Sequence, residues 1–180
     1  REIKNSFGRF VAILAIVALG VGFFAGLMVT TPAMVRSGSA YMEEKELFDL
    51  RLLSTLGFEK DAVEAFSQGD GVKAAEGAVF TDFLAESQDG EIQVMTAQTL
   101  LPVQNQLQLK EGRLPEASNE CVVDSNCYTL AAIGTKIRVA GENDADTADL
   151  FAHEEYEIVG VAHAVYYANY ERGTSTLGNG

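Results

Sequence analysis

The chain has 180 residues, 26 of them acidic and 13 basic, with a net charge of −13 and a pI near 4.5. That length allows one domain with a true core, or a smaller domain plus a membrane segment. A surface this negative argues against nucleic acid or anionic lipid as the partner of its soluble part.

The acidity is unevenly spread. Arg1, Lys4 and Arg9 against Glu2 give +2 at the start, which leaves −15 for the remainder. Between them, Phe10 to Val35 carries no charged side chain. Phe10 to Val29 is 20 residues, about 30 Å as a helix and so a match to the hydrocarbon thickness of a bilayer. Twelve of these 20 are Val, Ile, Leu or Phe, contributing about −4 to −7 kcal/mol on an insertion scale. A cleaved signal peptide has a shorter apolar core, and 26 charge-free residues exceed an ordinary buried helix. The spacing therefore predicts a transmembrane helix over 10–31, with 1–9 as a cytoplasmic flank. Basic residues precede the run and Glu43, Glu44, Glu46 and Asp49 follow it, so the chain after about residue 32 is expected to be extracytoplasmic. Within the helix, Ala18, Gly22 and Gly26 recur every four residues. Either this stripe admits a second helix at close range, or it reflects how common glycine is in membrane helices.

Pro32 is expected to loosen the helix, with 32–48 continuing as a polar, amphipathic stalk and 49–180 forming a mixed α+β domain. LRLLSTL (50–56) reads as a strand, and KDAVEAFSQ has helical spacing closed by Gly69-Asp70-Gly71. VFTDFLAES and EIQVMTAQT flank Asp89-Gly90 as a hairpin. QLQLKEG and ECVVD are strands, after which Ser125 or Asn126 is placed to cap a helix through Ala132, closed by Gly134. TKIRVAG and YEIVGVAHAV are two more strands, separated by GENDADTADLFAHE as a solvated acidic loop.

Little of this points to catalysis. His153 and His163 lie in no metal-ligand spacing, and the Asp144–Ala148 stretch starts like a calcium loop without its glycine or closing Glu. Gly69-Asp-Gly71-Val-Lys-Ala74 fits a relaxed dinucleotide fingerprint in the wrong context, after a helix rather than a strand. Gly20-x-Gly22-x-x-Ala25 fits it too, inside the apolar run, where it means helix packing. Gly173 to Gly178 has nucleotide-loop spacing, with Asn179 where the phosphate-binding Lys must stand. No cofactor, no metal site and no enzymatic activity are expected. For Cys121 and Cys127, an external location permits a disulfide across a feasible six-residue step, and a pair of unrelated thiols is the alternative.

Several stretches line up with a known family. NSFGRFVAILAIVALGVGFFAG, LKEGRLPEASNECVVDSN, LAAIGTKIRVAG and YEIVGVAHAV together resemble the FtsX/MacB-like ABC transporter permeases. The positions that carry the likeness are Gly112, Arg113, Pro115, Asn119 and Glu120, then Gly134, Ile137 and Val139, then Val159, Gly160 and Val161. The acidic stretch 141–157 and the paired cysteines depart from the family pattern. The resemblance implies a fragment of a multi-pass cell-membrane permease whose outer part is a MacB-like periplasmic core domain. It further implies a separate cytoplasmic ABC ATPase subunit as partner, together with further transmembrane helices and membrane lipid. Family substrates range from antimicrobial peptides and macrolides to lipoproteins and cell-wall hydrolase regulators. A singly anchored extracellular binding or sensor domain is the competing expectation.

Overall fold

The computed structural model describes residues 6–167 and 175–177. The chain divides into two compact units, Arg1–Glu44 and Lys45–Gly180.

The first unit is one helix, α1 (Phe7–Glu44), of 38 residues, and none of its residues is buried. A helix apolar on every side has no stripe to bury against a soluble core. It is long and apolar enough to cross a membrane. Pro32 lies inside α1 without ending it, although proline has no N–H to give the Met28 carbonyl. Close by, the Thr30 hydroxyl donates to the Gly26 carbonyl at 2.8 Å, so this polar group is satisfied within the helix itself. The helix runs unbroken and stops at Glu44. The next residues belong to the second unit: Lys45 and Glu46 offer their carbonyls to the N–H groups of Gln106 and Asn105, both at 2.9 Å. Glu46 takes a left-handed φ of 49°, which a continuing helix cannot accommodate.

The second unit is α+β. Helix α2 (Lys60–Ser67) precedes a six-stranded sheet: β1 (Phe80–Glu86), β2 (Ile92–Gln98), β3 (Gln108–Gly112), β4 (Glu120–Asp124), β5 (Lys136–Val139) and β6 (Glu155–His163). The order is β2-β1-β5-β6-β3, with β4 paired to β6 in parallel and every other pair antiparallel. The Asp89-Gly90 hairpin is present. Gly90 has φ +77°, and the Ser87 N–H meets the Glu91 carbonyl at 2.9 Å.

Strand β6 organises the core. Ile158 to Ala162 are buried without interruption, so β6 is covered on both faces and loses the alternation of a half-exposed strand. Ile158 and Val161 join one cluster with Phe83, Ala85, Val123 and Ile137. Residues three apart share a face here because the register against β4 skips one position: Cys121 faces Ile158 and Val122 faces Gly160. That bulge re-aims the strand.

Three expectations need correcting. Residues 50–56 form no strand, and Leu50, Leu52, Leu53 and Leu56 are exposed. A run of leucines becomes a strand only where a neighbour accepts its hydrogen bonds, and here the chain instead turns, with Gly57 N–H on the Ser54 carbonyl at 3.3 Å. The helix expected up to Ala132 shrinks to a single 3-10 turn, Leu130–Ala132. Asp124 takes over its start: its carboxylate accepts from Asn126 N–H at 2.7 Å, and its carbonyl accepts from Cys127 and Tyr128. That local turn competes with helix formation.

The acidic loop, finally, is more than solvated. It holds helix α3 (Ala145–Ala148), and Phe151 packs on Phe83 at 4.7 Å between ring centroids. The Asn143 side chain imitates backbone along β1, accepting from Leu84 N–H at 2.7 Å and donating to the Leu84 carbonyl at 2.8 Å.

Candidate functional site

Four of the positions that carry the family resemblance, Gly112, Arg113, Glu120 and Gly160, lie close together in space. Gly112 on β3 pairs with Gly160 on β6. A Cβ on Gly112 would lie 2.3 Å from the Val159 carbonyl oxygen, and one on Gly160 would lie 2.4 Å from the Arg113 carbonyl oxygen. Only two glycines let these backbones approach so closely. Gly112 also has φ +81°, outside the range that side chains favour.

From that crossing the chain leads straight to Arg113, whose guanidinium grips Glu120 in a two-pronged pair at 2.6 and 2.5 Å. The Glu120 carboxylate also accepts from the N–H groups of Glu116 and Ala117 at 2.8 and 3.2 Å. It thereby closes the 113–120 loop around itself. These donors, Arg113 first, hold the Glu120 carboxyl down to about 2 from an ordinary 4.5. Because the folded state binds this proton more weakly, the pair stabilises fully above pH 4.5, and its contribution fades as the pH falls toward 2. Glu120→Gln is therefore expected to flatten the fall in melting temperature between pH 5 and pH 2. A variant whose acid limb matches the parent would remove Glu120 from that account.

The other site residues fare differently. Gly22 and Gly26 lie on α1 with open space where a Cβ would sit, and Ala18 lies one further turn toward the N-terminus. Cys121 on β4 and Cys127 in the following turn are free thiols. Burial pushes the Cys121 thiol up to about 11, which leaves little thiolate for reaction at neutral pH. Asp144, the first residue of the calcium-like stretch, is the N-cap of α3 and accepts from Thr147 N–H at 2.7 Å. Its carboxyl is held below the usual range by that bond. Gly69 and Gly71 close α2, as expected, and the spacing from Gly173 to Gly178 falls largely outside the described residues.

One arrangement has no signal in the sequence. Ser118 Oγ and His153 Nε2 lie 2.7 Å apart, joining the loop before β4 to the loop before β6. Both side chains are exposed, and among the described residues no carboxylate holds the other ring nitrogen. A nucleophile pair needs that orienting group and shelter from water, so the contact is a surface link. No group of three or more metal-binding side chains exists among the described residues. Two shallow clefts, of about 170 and 360 Å³, line the sheet beside Tyr128 and beside Asp82.

No family model, curated protein or solved structure matches the chain.

Proposed function

We propose that this chain is part of a permease subunit of an FtsX/MacB-type ABC transporter. In that role it anchors in the cell membrane through α1 and passes motion from a cytoplasmic ATPase subunit to an extracytoplasmic domain. The observation that carries the reading is the unbroken length of α1. Thirty-eight residues rise about 57 Å, against about 30 Å of hydrocarbon. A simple tether needs only the shorter span, whereas a stiff element that continues past the membrane can transmit displacement. The Gly112–Gly160 crossing and the Arg113–Glu120 pair add support, because the positions that resemble the family are the ones that brace the outer domain.

On this reading the domain does no chemistry of its own, ATP is hydrolysed by the partner subunit, and further membrane helices pack against α1. Gly22→Leu is then expected to break assembly with those helices while the outer domain melts unchanged, because the added side chain blocks close approach. Intact assembly and transport in that variant would discard the packing stripe.

The deciding experiment purifies the full-length protein from its native membrane in mild detergent, identifies co-purifying chains by mass spectrometry and measures ATP hydrolysis. A stoichiometric ATPase with turnover supports the permease. A single-span protein without one overturns it and leaves an anchored binding domain.

A further inference from the structure

Among the described residues, only two besides glycine take a left-handed φ, Glu46 at 49° and Asn105 at 52°. They are bonded to each other. The Asn105 N–H donates to the Glu46 carbonyl at 2.9 Å, and the Gln106 N–H donates to the Lys45 carbonyl at the same distance. Backbone held in this region carries strain that only its surroundings sustain. Further along, Arg51 makes a second attachment: its guanidinium donates to Tyr166 Oη at 2.6 Å and stacks 4.1 Å over the Phe80 ring. Phe48 ties the two together. Its N–H donates to Asn105 Oδ1 at 3.4 Å, and its ring meets Tyr166 at 5.5 Å between centroids.

These attachments have no core beneath them. Residues 45–59 contain no helix, no strand and no buried side chain. The Glu46 carboxylate pairs with Lys73 on the surface, where an ion pair contributes little. A segment with so few buried apolar contacts opens far more easily than the strands it lies on. Residues 45–51 are thus fastened at points, and one of those points is strained.

We propose that residues 45–51 form a strap that leaves the sheet as one piece while the six strands stay folded. Glu46 and Asn105 are its strained catch, and Arg51 is its clasp. Because Phe48 touches partners of both, catch and clasp release together. The strap is the covalent connection from α1 to the sheet, so its release adds up to about 25 Å of free chain there. The device stands without the permease reading.

Hydrogen exchange of the full chain in detergent, resolved amide by amide by mass spectrometry, tests it. The N–H groups of Asn105 and Gln106 are bonded to strap carbonyls but lie outside the strap, and the amides of β6 report global unfolding. In the parent, protection at 105 and 106 is expected to be roughly a hundredfold weaker than in β6. Arg51→Ala should speed exchange at 105 and 106 by roughly tenfold and leave β6 unchanged. Glu46→Gly and Glu46→Ala both lose the Lys73 pair and differ mainly in tolerance of a left-handed φ. Exchange at 105 should therefore be roughly fivefold slower with glycine than with alanine. Equal protection at 105, 106 and β6 in the parent overturns the proposal, because the strap would then open only with the whole sheet. So does Arg51→Ala that leaves 105 and 106 unchanged, which makes the attachments independent, or that speeds β6 as much, which makes the strap part of the global fold. Equal rates in the two Glu46 variants remove the strained catch and overturn it as well.

Discussion

Gly112→Ala is expected to be among the most damaging single substitutions in the second unit, lowering its stability by about 3–5 kcal/mol. Two separate penalties add. The residue holds φ +81°, where a Cβ is strained, and that Cβ would sit 2.3 Å from the Val159 carbonyl oxygen and 2.8 Å from Gly160 Cα. Both obstacles are backbone in the middle of a sheet and have little room to move. Two other glycines separate the terms. Gly134 has φ +85° with nothing within 4 Å of an added Cβ, so Gly134→Ala should show the conformational penalty alone, about 1 kcal/mol. Gly160 has no left-handed φ but would place its Cβ 2.4 Å from the Arg113 carbonyl oxygen, so Gly160→Ala should show the steric term. Scanning calorimetry of the full chain in detergent would rank them, with Gly112→Ala melting roughly 10 °C below the parent. If Gly112→Ala melts no lower than Gly134→Ala, the close crossing of β3 and β6 is refuted.

Ile158→Ala is expected to follow closely, at about 3 kcal/mol. Ile158 is 1% exposed and is one of the largest fully buried side chains. It lies where β6 meets β4 in the ladder and where its backbone bonds to Thr135 and Gly134. Truncation leaves a cavity that neither face can fill, because both are covered by packed structure. Ile158→Val should cost about 1 kcal/mol by removing one methylene. Leu56→Ala should change almost nothing, because the side chain touches so little. Denaturant titration of the three variants tests the order. An Ile158→Ala midpoint near that of Leu56→Ala would mean that β6 is not the centre of the core.

The two penalties have a common origin in β6, and the sequence announced that strand only as an apolar run. YEIVGVAHAV reads plainly as a strand, and its unbroken burial from Ile158 to Ala162 came to light only in the fold. Its partners were hidden, because pairing is decided between residues far apart in the chain. Gly112 stood in the sequence only as one of the positions that carry the family resemblance, and its close approach to Gly160 exists only once β3 is laid against β6. The Arg113–Glu120 pair was present as letters seven apart in one loop, but the bend that closes them on each other depends on Glu120 collecting the N–H groups of Glu116 and Ala117. Asn143 gave no signal at all. A polar residue in an acidic loop reads as solvated until its amide is found standing in for backbone beside Leu84.

Residues 50–56 mark the opposite failure. Their leucines satisfy every local criterion for a strand, yet local propensity supplies no hydrogen-bonding neighbour, and without one the chain turns at Ser54–Gly57. Arg51 then reverses the usual arrangement, because two aromatic rings and a hydroxyl from 80 and 166 hold it better than water does.

By itself the sequence determined the long apolar helix, the Asp89-Gly90 hairpin, the α+β class and the strand segments from 80 onward. Each follows from composition or from a periodicity that acts over fewer than about 20 residues. The tertiary structure decided the strand order, the bulge that brings Ile158 and Val161 to one cluster, the two-glycine crossing and the outward turn of Leu50, Leu52, Leu53 and Leu56. Those depend on which distant backbone satisfies which hydrogen bond and on which side chain fills which space, and both are fixed only when the chain is folded.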